Sequence, residues 1–149
     1  CAHILSLALT LRDRGLPQPA GLVMISPYLD ITLSLPSVTR NARLDPMVTA
    51  HALRRGSDGY RGNIPENDPR VSPLFADLHG LPPVLVQAGS AEILLDDALQ
   101  FSERALAAGI NVQCHIYDGL WHNFQMFNAL IAEADDALDE IGEFIKASN

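Results

Sequence analysis

The chain has 149 residues, about the size of one ordinary domain, and at 48% apolar and 19% charged it can bury a real core. Ten Lys and Arg against 18 Asp and Glu leave a formal charge of −8, which argues against a nucleic-acid partner and an anionic membrane surface, since both call for a basic face. No apolar run reaches the roughly 18–20 residues of a spanning helix. Cys1 and Cys114 form no C-x-x-C pair, so a zinc knuckle or redox motif is excluded and a reducing, cytoplasmic compartment is expected. The chain opens on Cys1-Ala2-His3, without Met or signal peptide and directly inside a periodic apolar segment, so we expect a piece of something longer.

Residues 2–14 carry Ile4, Leu5, Leu7, Ala8, Leu9 and Leu11 before Arg12-Asp13-Arg14-Gly15, a buried helix with a charged last turn and a glycine stop. Gly21–Ser26 is a continuous apolar run of strand length, as in strands covered on both faces. Residues 26–44 read as irregular. Asp45-Pro46 reads as an N-cap with Pro at the first helical position, opening a helix from Pro46 to about Tyr60. Residues 63–74 are loop. Pro83–Gly89 is a second buried strand, followed by an amphipathic helix over 93–108 that Gly109 ends. Val112–Tyr117 alternates with a period near two and reads as a third strand nearer an edge. Residues 124–147 show apolar spacing of a single helix with an acidic outer face.

The order α-β-α-β-α-β-α implies parallel strands, helices on both faces and right-handed crossovers, a doubly wound α/β sheet. In that architecture a strand should precede the first helix, and none does. Ligands bind outside the carboxyl ends of such strands, which directs attention to the loops beginning at Ser26, Gly89 and Asp118. Their polar residues are Tyr28 and Asp30; Ser90, Glu92, Asp96 and Asp97; and Asp118 and His122. Glu92 and His122 stand out, because consecutive strands bring their loops together. A carboxylate beside an imidazole sets the ring's tautomer, and imidazole is the side chain that takes up and returns a proton near neutral pH. No G-x-S-x-G nucleophile elbow occurs, and Ser90 lacks its flanking glycine. His3, His51, His79 and His115 show no metal-ligand spacing, and no cofactor or metal is called for.

The segments Ala2–Leu9, Arg12–Gly15, Ser26–Asp30, Asp45–Met47, Ser72–Leu74, Leu81–Pro83, Gly89–Asp97, Ala107–Gly109 and Gly119–Phe124, in this order, resemble the hormone-sensitive-lipase-like (bacterial family IV) carboxylesterases of the α/β-hydrolase fold. The resemblance covers essentially the whole chain. It implies that residues 1–149 are the C-terminal part of one α/β-hydrolase catalytic domain: the last three parallel strands with flanking helices and a short cap segment, a pocket-lining helix over about 45–62. It also implies a nucleophile serine two or three residues before Cys1, on an upstream half that carries the oxyanion segment as well.

The family's D-P-L-x-D stretch corresponds to Glu92–Asp96, so the catalytic acid falls on Glu92, 30 residues before the base His122. Asp96 and Asp97 remain the competing carboxylates. Glu92 is then expected within roughly 2.6–3.2 Å of His122 Nδ1.

The implied activity is hydrolysis of short- to medium-chain carboxylic esters through an acyl-enzyme, with this chain supplying acid and base and inactive without the upstream half. The edge strand 112–117 is a candidate homodimer contact, and the first strand would lie against the upstream half. Two rivals stand beside this reading, a non-catalytic binding protein on the same fold and an inert structural fragment. The sequence preceding Cys1 discriminates them. Met47, Leu53 and Tyr60 are candidates to face an acyl chain, with ordinary core packing the competing role, and Asp30 is expected to brace a loop.

Overall fold

The structure is a computed structural model and describes residues 2–148. Strands β1 (Leu22–Ile25), β2 (Val84–Gly89) and β3 (Val112–Tyr117) form one parallel sheet in the order β1-β2-β3. Leu22 lies beside Val84, Val84 beside Val112 and Gly89 beside Tyr117, so the carboxyl ends of all three strands open on the same side. β2 is buried at every position, which suits the central strand, and its run of Val and Leu meets that demand. β3 is a terminal strand of the described sheet; it alternates half-buried with exposed residues from Val112 to His115, and Ile116 is exposed as well.

The pleat sends Val84, Val86 and Ala88 into the main core, where they meet Leu5, Ala8 and Leu9 of α1 (Ala2–Asp13) and Ala98, Phe101 and Ala105 of α4 (Leu95–Ala107). The opposite face is covered by α5 (Ala132–Ser148), whose Ala134 and Ala137 pack with Phe124 in a second cluster. The layers are therefore helix, parallel sheet, helix, as the alternating pattern requires. Gly15 follows α1 at φ +63°, the left-handed position that ends a helix best when no Cβ is present.

Two elements depart from the expected boundaries. The helix expected from Pro46 begins four residues later, as α3 (Ala50–Arg61), because Thr49 is its cap and accepts from Ala52 N at 3.2 Å. Asp45 is drawn elsewhere: Oδ1 accepts from Met47 N and Oδ2 from Ile93 N. The single helix expected over 124–147 is two pieces. A 3₁₀ turn at Phe124–Phe127 is followed by Asn128 in an extended conformation and Ala129 at φ +66°, and only then does α5 start. The periodicity was continuous because both pieces bury one face against the same cluster. A four-residue helix α2 (Ser37–Arg40) and a 3₁₀ turn at Pro73–Phe75 lie in stretches that read as irregular.

Asp97, in the first turn of α4, fastens the connection after β1. It is 1% exposed, and its Oδ1 accepts from Leu29 N at 2.7 Å and Asp30 N at 2.8 Å. Burial drives its carboxyl up to about 7, against the partial relief those two amides give. With a folded value above the unfolded 3.8, the unfolded chain releases this proton first, so Asp97 contributes less stability as pH rises from about 4 to about 7. Asp97→Asn keeps the accepting oxygen and removes the ionisation. Its thermal stability relative to wild type should therefore improve as pH is raised across that window, as melting curves taken at pH 4 to 8 will show.

Candidate active site

The loops leaving β1, β2 and β3 converge at the carboxyl edge of the sheet, and Glu92 sits between the other two. Its carboxylate is fully buried. Oε1 accepts from the Ser26 hydroxyl at 2.7 Å and from Gly89 N at 2.7 Å. Oε2 faces His122 Nδ1 across 3.5 Å. That is longer than the expected 2.6–3.2 Å, while both donors to the carboxylate are on Oε1. Among the described residues neither Glu92 Oε2 nor His122 Nδ1 has another hydrogen-bond partner, so each is the natural partner of the other. In the tautomer that directs an Nδ1 proton at the facing carboxylate, Nε2 is the ring's acceptor. The His122 side chain is 15% exposed.

The turn that carries Glu92 is held by the segment around α2. Asn41 Nδ2 donates to Glu92 O at 2.7 Å and Ser90 O at 3.0 Å. The Ser37 hydroxyl donates to Ile93 O at 2.8 Å and accepts from Asp96 N at 3.1 Å. Asn41, Ser37 and Asp45 are all buried. A buried backbone turn must find such partners, since leaving its amides and carbonyls unpaired costs roughly 1–3 kcal/mol each.

The other acidic candidates are engaged away from His122. Asp96 accepts from Ser37 N and pairs with Arg40 at 2.9 Å, Asp97 holds residues 29 and 30, and Asp118 accepts from the Ser90 hydroxyl at 3.0 Å. Ser90 also accepts from Gly119 N, so its oxygen ties two loops together. Asp30 braces its own turn through Thr32 N and the Ser34 hydroxyl.

The loop bearing His122 is placed by close backbone approach. A Cβ on Gly89 would lie 2.1 Å from Leu120 O and 2.4 Å from Leu120 C. Ala91 N donates to that same carbonyl at 2.9 Å. Beyond His122, Asn123 adopts φ +57°, and its amide donates to the Ser26 hydroxyl at 2.9 Å. Behind the loop, fully buried Gln87 accepts from Gln125 Nε2 at 3.1 Å and donates to Glu140 Oε2 at 2.6 Å and Ala137 O at 2.9 Å. Glu140 also pairs with His115 and accepts from the Tyr117 hydroxyl, which burial followed by the charge of Glu140 raises to about 12.

Ser26, Asn41 and Gln87 were not legible as site supports. Gln87 reads as part of an apolar strand, and the one signal for Ser26 is its place at a strand's carboxyl end. A cavity of about 290 Å³ lies between α1, the segment after β1 and α3, with Tyr28, Leu53, Ser57 and Tyr60 in its wall. Of the acyl-chain candidates, Leu53 and Tyr60 line it and Met47 does not; neither Glu92 nor His122 reaches it. Among the described residues no group of three His, Cys, Asp or Glu side chains is arranged to hold a metal ion.

A sequence profile described as alpha/beta hydrolase fold matches residues 3–126. The chain belongs to this family, in its hormone-sensitive-lipase-like branch. It is 50% identical over 147 residues to an esterase of Acinetobacter venetianus, a match covering 97% of this chain and 48% of that protein. An acetyl-hydrolase of Streptomyces hygroscopicus is 33% identical over 138 residues, covering 93% of this chain and 46% of its own length. The crystal structure of an esterase from the bacterial hormone-sensitive lipase family superposes with a TM-score of 0.95 at 37% identity, over 99% of this chain and 50% of that one. The chain thus spans about half the length of the relatives it matches.

The glycine contact yields a test. Gly89→Ala must push the 120–121 backbone away and should destabilise the fold by about 1–3 kcal/mol. Gly56→Ala and Gly59→Ala, where nothing lies within 4 Å on the exposed face of α3, should each stabilise it by about 0.5–1 kcal/mol. Denaturant melts of the three variants against wild type measure both signs.

Proposed function

We propose that this chain carries the acid and base of a serine carboxylesterase acting on short- to medium-chain esters, with Glu92 orienting His122. The observation that carries the reading is a fully buried carboxylate whose otherwise unpartnered Oε2 faces an otherwise unpartnered imidazole nitrogen at the carboxyl end of a parallel sheet. Family membership and the esterases among the relatives support the reaction class.

With Nδ1–H directed at Glu92, the His122 ring presents Nε2 as the proton acceptor. In the proposed cycle a serine of an upstream segment attacks the ester carbonyl while Nε2 takes the hydroxyl proton. Nε2 then returns that proton to the departing alkoxide, leaving the acyl group on the serine. Water repeats the sequence in the second half, with Nε2 again taking a proton and the serine leaving with it. Glu92 faces the positive charge the ring acquires in each step. Residues 1–149 hold neither the serine nor the amides for the oxyanion under this reading. The segment 45–62, which includes α3, then serves as the cap element beside the acyl group.

Assayed with a chromogenic short-chain ester, residues 1–149 alone should release no product, and the chain joined to its upstream half should be active. In that active protein His122→Ala should lower kcat by at least about a thousandfold and Glu92→Gln by somewhat less, in line with losses on removing a base or its orienting acid. Activity of residues 1–149 alone that disappears in His122→Ala would sink the proposal. We further propose that β3, a terminal strand carrying partly exposed Ile116, pairs across a two-fold axis in the active protein. Sedimentation of that protein should then give a dimer mass.

A further inference from the structure

We infer that Ser26 is a positioning residue, whose single hydroxyl locks the turn bearing Glu92 to the loop bearing His122 and so sets the two side chains in register. The inference rests on the acid–base reading above. Its geometry is specific. Ser26 closes β1, and its amide donates to Gln87 O at 2.8 Å, which fixes its backbone to the central strand. From there the hydroxyl donates to Glu92 Oε1 at 2.7 Å and accepts from Asn123 N at 2.9 Å. A carboxylate can only accept and an amide N–H can only donate, so both ends of this bridge dictate the direction of the hydroxyl proton. The residue is 3% exposed, which leaves water little room to substitute.

The backbone points the same way. Ser26 sits at φ +45°, a conformation in which glycine is relaxed and a side chain is strained. A residue with a Cβ is held where glycine is better suited, and the hydroxyl is the group that uses that Cβ. Its two partners belong to the two loops that must agree. Glu92 is the acid itself, and Asn123 adjoins His122 at φ +57°, a turn that directs its amide at Ser26. With Oε1 held by Ser26 on one side and Gly89 N on the other, the carboxylate has one orientation, and that orientation turns Oε2 to His122 Nδ1. Without the hydroxyl, one oxygen of a buried carboxylate loses a donor, and the amide beside His122 loses its acceptor.

Ser26→Gly and Ser26→Ala separate positioning from folding, because both delete the hydroxyl but only the glycine relieves the backbone. In the active full-length protein both variants should stay folded, with Ser26→Gly melting higher than Ser26→Ala. Both should nonetheless lose kcat by the same factor, about 10- to 100-fold, as supporting partners of catalytic groups do, with KM within about twofold of wild type. In a His122→Ala background Ser26→Gly should change the residual rate by less than about twofold, because the hydroxyl acts through the imidazole. A kcat that follows melting temperature, an undiminished kcat in Ser26→Gly, a full further loss in the His122→Ala background, or failure of both variants to fold would each overturn the inference. Full activity in His122→Ala alone would instead overturn the acid–base reading on which it stands.

Discussion

A carboxylate with no exposed surface is the constraint around which the carboxyl edge of this sheet is arranged. Removing an ionised group from water costs several kcal/mol unless hydrogen bonds and a countercharge replace the solvent. Glu92 obtains two donors on one oxygen, the Ser26 hydroxyl and the Gly89 amide, and an imidazole facing the other. Each donor comes from a different strand end, so the carboxylate is satisfied only when β1, β2 and the loop after β3 are all in place. Hydrogen bonds to charged groups are worth about 1.5–3 kcal/mol each, enough to select one arrangement of three loops from the many a flexible edge would sample.

The turn around Glu92 repeats that logic one layer out. Residues 90, 92, 93 and 96 engage backbone groups with Asn41, Ser37 and Asp45, all from the connection between β1 and β2. This explains why that connection contains a four-residue helix: α2 presents Ser37 on its inner side and ends at Asn41, whose amide reaches two carbonyls. On the far side, Gln87 interrupts an apolar strand to hold Gln125 and Glu140, so the backbone just beyond His122 is tied to the sheet and to α5. A buried glutamine in a central strand is costly unless its amide is fully used, and here both ends are bonded.

The layers, the parallel order and the three strands were legible because they follow from burial. An apolar run of strand length has few alternatives, and alternation along Val112–Tyr117 reports a strand covered less completely. Helix boundaries were less legible where polar side chains had two uses. Asp45 looks like a cap beside Pro46, yet its oxygens serve Met47, Val48 and Ile93, so Thr49 caps α3 instead. The break at 128–129 was hidden because the residues on either side of it pack on one cluster, and periodicity records burial rather than hydrogen bonding. At the site, the pairing of Glu92 with His122 was readable from strand order, since loops of neighbouring parallel strands must adjoin. Ser26 and Gln87 were not, because their roles depend on directions of single bonds that no spacing encodes.

Strand order also determines which part of the proposed chemistry this chain can organise unaided. β2 and β3 are hydrogen-bonded along their full length, from Val84 beside Val112 to Gly89 beside Tyr117, so the loops after them start side by side. Gly89 then brings the Leu120 carbonyl against the end of β2, and Ala91 fastens it there. The Ser26 and Gly89 donors that orient Glu92 lie within the described residues, and the elements that place His122 do as well. The contacts that direct the imidazole thus come from this sheet and its loops. Under the proposed reading, the residues described here set the direction of the imidazole, and a reacting hydroxyl would meet a proton acceptor already aimed.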